Sequence, residues 1–224
     1  MASGERGGHQ SREGVIKFAA THQSGPLPRA ATDLVGLLAG WRRILFDLGL
    51  LGRDGARYQG AAYGNLSARV GPFPGERGAR AFAITGTQTS DRRDLGPEDF
   101  CVVSAADVKR NHVTSHGPSL PSSESMTHAT VYDASPTIRA VFHVHAPAIF
   151  EARLGLPETA PDVDYGTPEM AREVARLWRS TALADARVFV MRGHHDGVVA
   201  FGKSIDDAGG ALIAALARAG ERRR

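Results

Sequence analysis

The chain has 224 residues, 42% of them hydrophobic and 23% charged, the balance of one sizeable soluble globular domain with a real core. Its formal charge is only +3, and although arginine lifts the isoelectric point to about 9.3, no basic face with interleaved aromatics marks a nucleic-acid patch. A single cysteine, Cys101, excludes an intramolecular disulfide; with no apolar run of membrane-spanning length and no signal-peptide core, a reducing cytoplasm is the expected setting.

Residues 1–13 are glycine-rich and polar and are expected to be flexible, residues 14–220 to form the domain, and 221–224 to be a solvated basic tail. "VIKFAATH" (15–22) reads as a short first strand and "SGPLP" as a loop. In "TDLVGLLAGWRRILFDLGLLG", apolar residues at 34, 37, 38, 41, 44, 45 and 48 predict a helix capped by Thr32 or Asp33 and closed near Gly52. "AAYGNLSARV" reads as a turn feeding a strand, "GPFPGERG" as a loop, and "RAFAIT" and "FCVVS" as strands. "SSESMTHATVYDASP" predicts a helix stopped before Pro136, with Ser122 or Ser123 as cap and Glu124 complementing the helix dipole. "RAVFHVHA" is the next strand, and "TPEMAREVARLWRSTA" a helix with Pro168 in its first turn. "ARVFVMRG" and "GVVAFG" are strands joined by "HHD", and the last helix opens with Ser204 as cap and Asp207 three residues on. Strands joined by tight turns must run antiparallel, so the expectation is an α/β single domain with a mainly antiparallel sheet and helices around it.

Within "VFHVHA", His143 and His145 are two residues apart and share one face of the strand with Val141. Two imidazoles on one face can point at a common ion, whereas the plain alternative is a pair of half-buried strand residues with ordinary hydrogen bonds. A catalytic zinc site commonly needs a third protein ligand and an open position. The turn "GHHDG" (193–197) offers His194 and His195. The serines before Glu124, with free backbone N–H groups at a helix start, could also take an anion, and Glu124 beside a metal could move protons.

Five motifs occur in order: "GNLS" at 64–67, "ITGTQ" at 84–88, "PSSE" at 121–124, "HVH" at 143–145 and the histidine–glycine turn at 193–197. Together they resemble the class II aldolase/adducin family, fuculose-phosphate aldolases in particular, over about residues 34–216. The resemblance implies a three-layer α/β/α fold and a divalent metal, usually zinc with Fe2+, Mn2+ or Co2+ as alternatives. It implies His143, His145 and a turn histidine as ligands; comparison with forms of the type Gly-His-x-Asp-Gly selects His194 over His195. Glu124 matches the family's catalytic glutamate, and Asn65, Thr87, Ser122 and Ser123 match positions that bind a substrate phosphate. Gln88 stands beside Thr87 where the family usually has glycine, and Asp196 lengthens the histidine turn by one residue. No tyrosine matches the proton donor of some aldolases, and His128, one turn after Glu124, is read as structural.

The chemistry implied is Lewis-acid polarisation of a small, phosphorylated, sugar-like hydroxycarbonyl, with Glu124 moving the proton. Aldol-type carbon–carbon cleavage or formation leads the readings. The others are a dehydratase, epimerase, decarboxylase or Fe(II) oxygenase on the same scaffold, or a non-catalytic adducin-like protein. Expected partners are a small-molecule substrate and further copies of the chain, as a homotetramer, with neither nucleic acid nor membrane.

Overall fold

The computed structural model of the protein describes residues 15–152 and 154–222. The stretch expected to be flexible, 1–13, lies outside these residues, as does the end of the expected tail; Glu221 closes the last helix and Arg222 follows it. The elements in chain order are β1 (Ala19–Ser24), α1 (Arg29–Asp47), β2 (Gly52–Arg53), β3 (Ala62–Tyr63), β4 (Asn65–Arg69), β5 (Phe82–Thr85), β6 (Phe100–Asp107), β7 (His112–Gly117), α2 (Ser125–Ala134), β8 (Ala140–His145), α3 (Pro147–Glu151), α4 (Pro168–Ser180), α5 (Leu183–Ala186), β9 (Val188–Val190), β10 (Gly197–Gly202) and α6 (Ile205–Glu221).

Eight strands form one sheet in the order β1-β7-β6-β5-β4-β8-β10-β9, and β2 pairs with β3 apart from it. Every neighbouring pair in the large sheet is antiparallel except β1 with β7. The sheet is therefore mostly antiparallel but mixed. No hairpin dictates the direction of β1, because β7 follows it only after α1 and five intervening strands.

Strand β8 has no exposed residue, and its alternation sorts the interior. Phe142 and Val144 belong to an apolar cluster with Leu38 and Leu45 of α1 and Leu212 and Ala215 of α6. Val141 belongs to a second cluster, with Met126 and Tyr132 of α2, Met170 and Val174 of α4, and Val199 of β10. His143 and His145 thus stand on the face that looks toward α2 and α4.

Helix boundaries differ from the periodicity reading where backbone chemistry decides them. Helix α1 starts at Arg29, directly after Pro28 at φ −58°, and no side chain caps it; Thr32 instead donates its hydroxyl to the Pro28 carbonyl at 3.3 Å. It ends at Asp47 rather than near Gly52, because Gly49 turns left-handed at φ 68°. Leu50 N–H then reaches Leu45 O and Gly49 N–H reaches Phe46 O, both at 2.9 Å, the paired closure that such a glycine permits. Within the predicted apolar stripe, Leu37, Ile44 and Leu48 are exposed, so the buried face is narrower than the stripe.

Helix α2 stops before Pro136 as its composition predicts, but neither serine caps it. Glu124 is the N-cap residue, with no capping bond from its side chain; its own N–H donates to Ser122 Oγ at 3.3 Å. Helix α6 follows the sequence closely, with Ser204 Oγ accepting the Asp207 N–H at 3.0 Å. No helix among the described residues is long and apolar enough to cross a membrane.

Candidate metal centre

The site is assembled at the end of β8. That strand lies between β4 and β10, and the registers place Asn65 opposite His143 on one side and Gly197 opposite His145 on the other. The β9–β10 turn then carries His194 back over the strand. Its geometry is fixed by bonds from His194 N–H to Met191 O at 2.9 Å and from Gly197 N–H to His194 O at 2.8 Å. The extra residue of this turn, Asp196, is absorbed by a left-handed backbone at φ 62°, and its carbonyl accepts the Ala146 N–H at 2.8 Å. The turn is thereby tied to the residue that follows His145.

His143, His145 and His194 come together with exposures of 0%, 0% and 4%. Their ring centroids are 4.7 to 5.1 Å apart. One nitrogen from each ring lies within 4.8 Å of the others, so small rotations would gather all three around an ion at about 2.0–2.1 Å from each nitrogen. His195, the alternative in the turn, is 68% exposed and directs Nδ1 toward Asp196 Oδ2 at 3.2 Å.

Glu124 is buried beside the triad, its Oε1 3.2 Å from His194 Nδ1 and 3.8 Å from His143 Nε2. Burial, the largest cause, pushes this carboxyl toward its neutral form, but the neighbouring His143 and His194 and its hydrogen bonds with His194 and Thr127 together hold its pKa below the usual range. A divalent cation in the same place would act with the same sign. His128 points elsewhere: its Nδ1 bonds Ser67 Oγ at 2.7 Å, and burial alone lowers its pKa to about 3, which keeps it neutral. It is part of the packing between α2 and β4.

Asn65, Thr87, Gln88, Ser122 and Ser123 line one cleft together with Arg53 and Ser90. The cleft adjoins the triad, since Asn65 pairs with His143 across the strands and Ser123 precedes Glu124. Gly64 makes this junction sterically feasible: at φ 83° its missing Cβ would fall 2.5 Å from the Leu51 Cβ. The loop bearing Thr87 and Gln88 is anchored from beneath by the buried Arg42, which donates to the carbonyls of Arg92, at 2.9 Å from Nε, and Thr89, at 3.0 Å from Nη2. Ser90 Oγ ties the same loop to Gly64 O at 2.5 Å. Gln88 takes a left-handed φ of 56°, a conformation glycine adopts freely.

Several neighbours of the site escaped the sequence reading. Arg53 brings a cation to the cleft, paired with Asp91 at 3.6 Å. Tyr58 and Tyr63 flank the His145 ring at 4.4 and 5.2 Å, and Tyr165 stacks on His194 at 4.5 Å. None carries a local signal: Arg53 and Tyr63 sit in the two-residue strands β2 and β3, and Tyr58 and Tyr165 lie outside the α-helices and β-strands.

Comparison with known proteins adds a family and a fold. A family model described as class II aldolase and adducin N-terminal domain matches residues 54–219. A sugar-phosphate aldolase from Thermotoga maritima superposes with a TM-score of 0.61 at 16% identity, covering 86% of this chain and 94% of that one. An L-fuculose 1-phosphate aldolase gives 0.59 at 21% identity, covering 87% of each chain. YgbL from Escherichia coli, for which aldolase, epimerase and decarboxylase are named as alternatives, gives 0.60 at 17% identity, covering 86% of this chain and 89% of that one. At such identities the likeness speaks for the fold.

The triad generates a direct expectation. His143→Ala and His145→Ala should each remove most of the divalent metal from the purified protein, measured by elemental analysis, while circular dichroism reports a folded chain. Full metal occupancy in the double variant would defeat the assignment.

Proposed function

The chain belongs to the class II aldolase and adducin family, and from that premise we propose that it is a divalent-metal-dependent lyase that cleaves or forms a carbon–carbon bond in a small, phosphorylated, sugar-like hydroxycarbonyl. The observation that carries this reading is the convergence of three buried imidazoles with a buried carboxylate 3.2 Å from one of them, beside a polar cleft. A purely structural member of the family has no need of that set, because burying it costs stability. The scaffold is read as a three-layer α/β/α domain.

His143, His145 and His194 would hold the ion. An all-imidazole set suits zinc, with Fe2+, Mn2+ and Co2+ as alternatives. When bound, the ion supplies Lewis acidity that polarises a substrate carbonyl. Glu124 sits where it can take or return a proton at the adjoining carbon. Its burial and lack of exposure keep bulk water from competing for that proton. Ser122, Ser123, Thr87, Gln88 and Asn65 hold the anionic end of the substrate through hydroxyls and amides. Arg53 adds the positive charge that those neutral groups lack. Because Arg42 and Ser90 anchor the cleft wall, the distance from the anionic end to the reacting carbon is set before substrate arrives.

A cytoplasmic setting is part of the same proposal, supported by a single cysteine, Cys101, which is buried and whose thiol burial pushes up to about 12.

Three tests bear on this reading. With a substrate drawn from a panel of ketose phosphates and their unphosphorylated forms, Glu124→Gln should lower turnover by about 10²–10⁴-fold with the metal retained, the range of general acid–base contributions. Near wild-type turnover would place the proton elsewhere, and a product that keeps every carbon would indicate epimerisation or dehydration instead of aldol cleavage. Arg53→Gln should raise KM for the phosphorylated substrate about tenfold with little change in kcat, while leaving an unphosphorylated analogue unaffected; that is the scale of one lost charge-assisted hydrogen bond. The chain is further expected to assemble as a homotetramer, and a light-scattering mass that stays at 23.8 kDa across a concentration series would refute it.

A further inference from the structure

We infer that Tyr58 is a positioning residue that couples the strand ligand His145 to the turn carrying His194, so that the two move as one unit around the metal. The inference rests on the metal reading above but not on the reaction catalysed. The Tyr58 ring meets His145 nearly edge-on, with centroids 4.4 Å apart and planes inclined by 72°. Its hydroxyl donates to Asp196 Oδ2 at 2.7 Å. Asp196 is 5% exposed and lies two residues after His194. The Asp196 carbonyl accepts the N–H of Ala146, the residue after His145, at 2.8 Å. These contacts close a circuit: His145, Ala146, the Asp196 backbone, the Asp196 carboxylate, Tyr58, and the ring of His145 again.

The backbone gives a second, independent sign that this circuit is built. Among the described residues six non-glycine positions have left-handed φ, and two of them belong to it, Tyr58 at 48° and Asp196 at 62°, with Gln59 at 58° next to Tyr58. Side chains adopt that conformation only where surrounding contacts enforce it, and such positions gather at ligand clamps. Glycine would relieve the backbone at Tyr58 and at Asp196, yet would delete the hydroxyl or the carboxylate that joins the loop to the turn. Arg57 Nη2 lies 3.8 Å and His195 Nδ1 3.2 Å from Asp196 Oδ2, the carboxylate oxygen that Tyr58 bonds. The residue that lengthens the histidine turn is thus the one that Tyr58 holds.

The test follows metal rather than turnover. Wild type, Tyr58→Phe, Asp196→Ala and the double variant would be loaded with Zn2+, and release to a chromogenic chelator timed. Each single variant should release the ion about tenfold faster or more, the scale seen when a group orienting a ligand is removed. The double variant should release no faster than the quicker single, because the Tyr58–Asp196 bond is the interaction that both changes break. The melting temperature of metal-free Tyr58→Phe should match that of the metal-free wild type, since the ring and its packing remain. With Co2+ in place of Zn2+, the visible spectrum of Tyr58→Phe should shift as the ligand geometry relaxes. Release from Tyr58→Phe at the wild-type rate would overturn the coupling alone and leave the metal site standing. A wild-type chain that takes up no metal would overturn both. If Asp196→Ala fails to fold, Tyr58→Phe decides by itself, because it removes one oxygen atom and nothing else.

Discussion

Four ionisable side chains, none more than 4% exposed, meet at the end of one strand, and that burial is the constraint around which the molecule is arranged. An isolated buried charge costs far more than a folded domain can spare, so His143, His145, His194 and Glu124 are tolerable only as a set that shares protons or a cation. The set must also be kept dry and close. Strand β8 achieves this by being buried on both faces, which requires paired neighbours on each side and apolar cover on its far face. Phe142 and Val144 supply that cover against α1 and α6, and Tyr58, Tyr63 and Tyr165 close around the histidines.

The polar cleft depends on the same economy of burial. Arg42 carries a positive charge into the interior, where burial lowers its pKa to about 10, still far enough above neutrality to remain protonated. Among the described residues no carboxylate forms an ion pair with it; it is satisfied chiefly by the carbonyls of Thr89 and Arg92. Removing it would take the donor from the Arg92 carbonyl, at about 1–3 kcal/mol for such a buried group, while the Thr89 carbonyl keeps the Arg92 N–H at 3.2 Å. The cleft wall is therefore held by a main-chain anchor beneath it. Because Asn65 and His143 are opposite one another in the sheet, cleft and triad share one rigid frame.

Those features that depend on short-range pattern were legible in the sequence. Alternation in "VFHVHA" puts both histidines on the face of Val141, and the tight histidine turn makes β9 and β10 antiparallel. The Ser204 cap of α6 and the stop of α2 before Pro136 were legible for the same reason. What escaped was long-range or weakly patterned. Strand β7, "HVTSHG", has one large apolar residue, Val113, and gave no strand signal; its place between β1 and β6 comes from the sheet. The expected serine cap of α2 lost to a turn in which Ser125 N–H bonds Ser122 O at 3.0 Å, leaving the helix to start one residue later. Tyr58 and Asp196 are 138 positions apart, and no local rule pairs them.

The two places where this chain departs from the motifs it resembles, Gln88 and Asp196, have the same physical character. Both are polar residues in left-handed backbone, at φ 56° and 62°, where glycine meets no conformational cost. Gln88 lines the cleft with Arg53; Asp196 accepts the Tyr58 hydroxyl beside the histidines. The departures thus fall at the two margins of the site, one where a substrate's anionic end would lie and one where the ligand turn is held. The imidazoles and the carboxylate between them match the motifs without change. A chain drifting away from catalysis would be expected to lose the buried ionisable set first, because that set is the expensive part to keep. The buried ionisable set, which is the expensive part to keep, lies between these two margins.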